Sequence, residues 1–393
     1  MHGVIFAALF TVGLGLALPC LYLLFLTVVG AMRPPRPGMA AQARTRFAVL
    51  VPAHNEEDLL PTLLQSLKRN EYPSDLFDIY VVADNCTDRT AQVGRDLGAT
   101  VFERQDASQL GKGYALQWLL RQVPTASGPY GAFLFLDADT QVTPNFLSAL
   151  DARFQNGSQA LQAYYGVSNA LDTPVSSLRY IALVLKHRAR PSGRQALGLS
   201  TGIFGTGMSF TREVMEACDW DAFSLAEDIE YFMKLTDLGV RVDFVPEAAV
   251  WSAMPTSLKG ARSQNLRWEQ GRVRMAAKYG PRFIAEGVLQ RNKIKLDAAV
   301  EQAIPPLSLL AGAVGLFLCL GLVGRNAWIL GLGAVSLGSL IGHVLLGMIS
   351  AAAPKHAYKM LAFAPIFLFW KAPLYLRALF PGKSAWVKTP RNS

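Results

Sequence analysis

Cysteine is scarce: four residues in 393, at positions 20, 86, 218 and 319, with no CxxC spacing, so neither a disulfide framework nor a zinc site is indicated. The five histidines form no HExxH pair, which removes the usual zinc-hydrolase helix. "VPAHNEE" (51–57) contains no glycine, whereas a dinucleotide-binding oxidoreductase wants GxGxxG after its first strand. "GKG" (111–113) is no Walker A loop, because Asp106 stands five residues before Gly111 and Gly113 follows Lys112. There are no internal repeats and no low-complexity segment. Charge is thin too, at 17% of residues against 51% hydrophobic, with a formal net charge of +9.

What is present is apolar sequence in long runs. Residues 3–31 carry no charged side chain, and about 20 such residues already cross a bilayer core. No Lys or Arg precedes the run, and it exceeds a signal-peptide core, so an uncleaved anchor is expected. Residues 303–323 and 327–353 have the lengths of two further spans, separated by "GRNA". Arg33, Arg36, Arg44 and Arg46 follow the first span, which predicts a cytoplasmic polar region in a multi-pass inner-membrane protein. The stretch 357–380 is broken by Pro365, Lys371, Pro373 and Arg377; spanning would export the tail bases Lys383, Lys388 and Arg391. It is therefore expected to be interfacial or re-entrant.

Between the apolar runs the pattern alternates. "RFAVLVPA", "FDIYVVAD", "TVFER" and "AFLFLDAD" read as strands, with helices over "EEDLLPTLLQSLKRN", about 88–97 and about 112–122. Such alternation predicts a parallel sheet covered on both faces, whose ligands bind beyond the carboxyl ends of the strands. Further on come "GIFGTGMSF", an amphipathic helix "AEDIEYFMKLTDLG" and a strand "VRVDFVPEAAVW". Ten bases against two acids between 258 and 295 mark helices solvated by anionic headgroups; no nucleic-acid partner is expected.

Asp137 and Asp139 sit one residue apart at a strand end, where their mutual repulsion asks for water or a cation. With Asp84 and the "HNEE" tip on the same sheet edge, the cluster suits Mg²⁺ or Mn²⁺ shared with substrate phosphates. Lys112 at a helix start suits an anion or a plain cap. Glu227 and Asp228 open a helix whose dipole should hold them ionised, and on the residues alone a capping role is preferred. Trp268 on a basic helix is an interfacial anchor or a site residue.

"VPAHNEE", "VVADNCTD", "GKGYAL", "FLDADT", "GTGMSF", "AEDIEYFMKL" and "QNLRW" occur in the order, and at about the spacing, of the membrane-bound family 2 glycosyltransferases. These include cellulose, hyaluronan and poly-N-acetylglucosamine synthases and ceramide glucosyltransferase. The chain resembles that family over roughly residues 45–280. The resemblance implies an α/β fold: a GT-A-like nucleotide-sugar-binding domain with a parallel-rich sheet, plus transmembrane α-helices. It divides the chain into an anchor (1–32), a basic Pro-rich linker (33–44), the catalytic domain (45–255), amphipathic interfacial helices (256–300), two spans (301–353), and an interfacial segment with a basic tail (354–393).

The resemblance also implies roles. Ala53, His54, Glu56 and Asp84 would line a uridine pocket, with Lys112 and Asp137 near the donor and Asp139, with Asp137, on the metal. Asp228 would be the general base, with Glu227 beside it. Gly205, Thr206 and Gly207 would form the acceptor loop; Arg267 would contact the diphosphate, and Gln264 and Trp268 the acceptor. Many relatives carry Asp-Asp where this chain has Ala83-Asp84, which leaves the base and ribose contacts open. The expected partners are a UDP-sugar, a lipid or saccharide acceptor and membrane lipids. About three spans are few for a polymer channel, which favours a glycolipid or short product unless the chain forms a homo-oligomer. A non-catalytic nucleotide-sugar-binding subunit is the alternative, against which the intact Asp139, Asp228 and Arg267 speak.

Overall fold

The computed structural model describes residues 2–34, 42–123, 130–224 and 226–379. Most of the expected linker, and the basic tail from 380 on, lie outside the described residues.

Eight strands form one sheet: β1 (Phe47–Ala53), β2 (Phe77–Asp84), β3 (Thr100–Arg104), β4 (Ala132–Phe135), β5 (Thr140–Val142), β6 (Ala160–Val167), β7 (Met208–Thr211) and β8 (Val242–Ser252). Their order across it is β3-β2-β1-β4-β7-β6-β8-β5. The four strands read first in the sequence make a parallel block. β7 then runs antiparallel to β4 and β6, and β8 pairs parallel with β6 and antiparallel with β5. The sheet is therefore parallel-rich and not purely parallel. β5 and β7, at three and four residues, are too short to show a period of two.

The helices are α1 (His2–Met32), α2 (Leu60–Lys68), α3 (Thr90–Asp96), α4 (Lys112–Gln122), α5 (Phe146–Gln155), α6 (Pro174–Val184), α7 (Arg190–Ala196), α8 (Arg212–Ala217), α9 (Glu227–Asp237), α10 (Leu258–Leu289), α11 (Lys293–Ala303), α12 (Leu307–Val323), α13 (Ala327–Ser350), α14 (Lys355–Met360) and α15 (Ala364–Leu379). One sheet face buries Leu60, Leu63, Leu64 and Leu67 of α2 and Phe146, Leu147 and Leu150 of α5. The other buries Leu116 and Leu119 of α4, Tyr231 and Leu235 of α9, and Met275, Tyr279 and Phe283 of α10. α2 starts later than its apolar pattern because Pro61, which lacks an N–H, is tolerated only in a first turn.

Several bases of α10 and α11 pair within the protein, where headgroup solvation was expected for most of that run. Lys278 pairs with Glu230 of α9 at 3.2 Å, Arg282 with Asp237, and Lys295 of α11 with Asp237 at 3.1 Å. Arg272 meets Glu269 at 3.2 Å and donates to the carbonyls of Gln302 and Ile304. These charges bind the helices to one another.

α1 over Phe6–Met32 and α13 are long and apolar enough to cross a membrane, and α11 with α12 adds a third crossing only as one span bent by 68°. α12 alone has 17 residues, about 25 Å at 1.5 Å per residue. α1 packs on α13 and α7; a Cβ on Gly193 of α7 would stand 2.1 Å from the carbonyl oxygen of Leu26, so only glycine permits that approach. Beside it, Tyr22 donates a hydrogen bond to Asp297 of α11, and Arg194 of α7 pairs with Asp297 at 2.8 Å and Glu301 at 2.6 Å.

Candidate functional site

The carboxyl ends of β2, β1 and β4 open on one edge of the sheet, because the strands are parallel and adjacent. Asn55 (φ 55°) and Asn85 (φ 51°) turn the chain off the first two ends in the left-handed region, which asparagine tolerates better than most residues. Their amide oxygens accept from the backbone N–H of Thr87 at 2.7 Å and of Asp106 at 2.8 Å. Asp84 is buried and pairs with Arg104 at 2.6 Å, while the His54 ring nitrogen Nδ1 lies 2.7 Å from its carbonyl oxygen. A structural ion pair thus holds the acid expected to meet the nucleoside.

Lys112 is the hub of the site. Its Nζ lies 2.5 Å from Asp137 Oδ1, 3.8 Å from Glu227 Oε1, and donates to the Gly205 carbonyl at 2.5 Å. Gly205 has φ +83°, and a Cβ built there would lie 3.6 Å from Lys112 Nζ and 3.7 Å from Asp228 Oδ2, so one left-handed peptide sits between the lysine and the acid. The strand end, α4 and the start of α9 meet at this point.

The pair on α9 corrects one expectation. Burial pushes the Glu227 carboxyl up to about 7 against the pull of Lys112, and raises Asp228 against the pull of Lys186. Desolvation therefore outweighs the helix dipole, which is a first-turn effect of a few tenths to about one kcal/mol. Burial works against the charge of Lys112 as well, but Asp137 and Glu227 more than offset it and raise its pKa.

Ala53, His54, Glu56, Asp84, Lys112, Asp137, Asp139, Gly205, Glu227, Asp228, Gln264, Arg267 and Trp268 all line one cavity of about 1490 Å³. Thr206 and Gly207 do not line it: Thr206 is fully buried, its hydroxyl accepting from the Asp137 N–H at 3.1 Å, and the Gly207 N–H is bonded to Phe135. Thr206 thus holds the Asp137 backbone from behind the cavity wall, and Gly207 holds the end of β4. Among the described residues no group of three or more His, Cys, Asp or Glu side chains is arranged to hold a metal. Magnesium and manganese are commonly held by one or two carboxylates with substrate phosphates completing the shell, and Asp137 and Asp139 on the cavity wall fit that donor set.

Several cavity residues were not singled out from the sequence. Arg179 of α6 is buried, hydrogen-bonds Gln264 and stacks over Trp268, its guanidinium carbon 5.4 Å from the ring centroid. Lys186 and His187 lie in a π-helical turn, Leu185–Ala189, joining α6 to α7; His187 stacks between Tyr165 and Phe204. Such turns recur at functional sites. The usable signal was "DTPVSS" (172–177), where Thr173 and Ser176 form a capping box with Pro174 at the first turn.

Comparison with known proteins places this geometry. The chain is 26% identical over 261 residues to the probable glycosyltransferase YdaM of Bacillus subtilis, covering 64% of this chain and 60% of that one. It is 26% identical over 233 residues to the beta-monoglucosyldiacylglycerol synthase of a Nostoc species (57% and 48%), and 24% over 232 residues to the poly-beta-1,6-N-acetyl-D-glucosamine synthase of Staphylococcus epidermidis (57% and 54%). The chain thus spans about half to three-fifths of the length of these curated relatives. Among solved structures, a mannosyltransferase from Pyrobaculum calidifontis in complex with GDP-mannose and Mn²⁺ superposes with a TM-score of 0.55 at 18% identity, over 94% of this chain and 95% of that one, and shares the GT-A-like fold. Residues 44–271 match the family model "Glycosyltransferase like family 2", and the chain belongs to that family.

Proposed function

We propose that the protein transfers a sugar, with inversion, from a UDP-sugar to the hydroxyl of a membrane lipid at the cytoplasmic face of the inner membrane. One observation carries this reading: the cavity lined by the acids of the strand ends is also lined by Leu337, Ile341 and Val344 of α13 and Phe367 of α15. Its polar end suits a nucleotide diphosphate and its apolar end a lipid, with Glu227 and Asp228 among its lining residues.

In the reaction the acceptor oxygen bonds to the anomeric carbon as the bond from that carbon to the diphosphate breaks, the electron pair leaving with the nucleotide. Asp228 takes the hydroxyl proton, and Glu227 and Lys112 set the field around it. Arg267, which lines the cavity and makes no ion pair among the described residues, meets the diphosphate as charge builds there. Asp139, with Asp137, would hold a divalent ion, which supplies further positive charge to the leaving group.

The test is purified protein in nanodiscs, supplied with a total lipid extract and UDP-glucose, UDP-galactose, UDP-N-acetylglucosamine or GDP-mannose, with and without Mn²⁺. A UDP-sugar should give a labelled glycolipid, and Asp228→Asn should cut turnover by roughly 10²- to 10⁴-fold with nucleotide binding kept. Unchanged turnover in that variant would remove Asp228 from the mechanism. The likeness to a poly-N-acetylglucosamine synthase supports a second reading, a processive synthase acting as an oligomer, and a ladder of long polymers would favour it.

A further inference from the structure

The cavity wall between the α9 acids and α13 is lined by two kinds of cation. Arg190 and Arg194 are neutralised by protein carboxylates: Arg190 by Glu301 at 3.2 Å, Arg194 by Glu301 and Asp297. Arg179, Lys186 and Lys371 are not, since no carboxylate pairs with them among the described residues.

Arg179 is 4% exposed, yet its Nε and Nη1 have no hydrogen-bond partner. Lys371 of α15 lies among aromatic rings, 5.4 Å from the centroid of Phe367 and 5.8 Å from that of Tyr375. Burial disfavours its charge, Glu269, which favours it, is already held by Arg272 at 3.2 Å, and Arg179 and Lys186, which line the same cavity, add repulsion. A largely apolar enclosure that holds three cations with no carboxylate in contact with them is costly, and a bound anion lowers the cost. An ionisable side chain kept among membrane-proximal apolar residues generally serves a ligand.

We propose that Arg179, Lys186 and Lys371 form an anion subsite for the acceptor, which is a lipid bearing a phosphate or carboxylate as well as the hydroxyl that is glycosylated. Its acidic group sits among the three cations and its chain runs along Leu337, Val344 and Phe367. Arg179 touches Gln264 and Trp268 on either side of Arg267, so the subsite adjoins the proposed diphosphate end, and the assignment rests on the lipid-acceptor reading above.

The test uses the full chain in phosphatidylcholine nanodiscs and measures binding of radiolabelled dodecyl phosphate, dodecanoate and dodecanol, with empty nanodiscs subtracted and UDP binding measured in parallel. At least one of the two acids should bind roughly tenfold more tightly than the alcohol, and which one does identifies phosphate or carboxylate. Lys371→Met should reduce that preference about fivefold while leaving UDP affinity unchanged. Equal binding of acids and alcohol overturns the inference, as does a parallel loss of UDP affinity in Lys371→Met, which would assign these cations to the donor. Failure of the unaltered chain to bind UDP, with the preference for the acids intact, would instead sink the UDP-donor reading and leave the anion subsite standing.

Discussion

Glu227 and Asp228 show how burial decides the behaviour of a residue whose local sequence suggests otherwise. Both carboxyls are raised by desolvation, Glu227 to about 7, although they open a helix. If Asp228 must be ionised to accept a proton, activity falls as pH drops through its raised pKa, so the acid limb of a pH–rate profile should lie above the ordinary carboxylate range. Lys186 is the largest influence favouring the charged form of Asp228, so Lys186→Met should move that limb to higher pH. An unmoved limb in that variant would separate the lysine from the base. For stability the sign is the reverse. Between the unfolded carboxylate value and about 7 the folded chain binds more protons than the unfolded one, and stability declines as pH rises through that window. At this scale the motif residues were legible, because acids at strand ends and helix starts stand out against apolar sequence. Arg179, Lys186 and Lys371 were not, since a base near an apolar helix looks the same whether it meets a headgroup or a cavity.

Elements were legible in proportion to the apolar run that each buries. β1, β2, β3 and α4 lie where the alternation puts them; β4 ends at Phe135, before the acids it was expected to include. The short antiparallel strands and α6 were not read, because partners distant in the chain define them and not their own periodicity. The joint between α1, α7 and α11 is likewise invisible to pattern. Its charges are buried and paired, so Arg194→Met should leave Asp297 without a cation and Glu301 with Arg190 alone, and cost about 3–5 kcal/mol of stability. Thermal unfolding of the detergent-solubilised protein measures this, and a midpoint within a degree of the parent would show that the pairs contribute little. Weakening the joint should also lower expression, as destabilised chains are cleared more readily.

At the scale of the whole molecule, the sheet domain and the apolar helices are built into one another. A hydrophobic cluster joins Tyr165 and Val167 of β6 with Leu178 of α6, Met348 of α13, Ala357 of α14 and Trp268 of α10. Two helices suited to crossing a bilayer predict a protein that stays in the pellet after alkaline carbonate washing and is released by detergent. Release by carbonate alone would contradict a spanning α1 or α13. The apolar runs and the alternation supplied the spans and the sheet, and the resemblance supplied the GT-A-like fold and the order of the motifs. The way the cavity passes from the acids to the apolar side chains of α13 and α15 could not be read, because α6, α13 and α15 are far apart in the chain. The backbone contact between Leu26 and Gly193 bears on protein engineering. Replacing residues 2–32 with an unrelated hydrophobic leader would still tether the chain to a bilayer. It would also strip Asp297 of its tyrosine and leave α7 with nothing shaped to rest on, so a chimaera of that kind should reach the membrane and yet fail to assemble its interior.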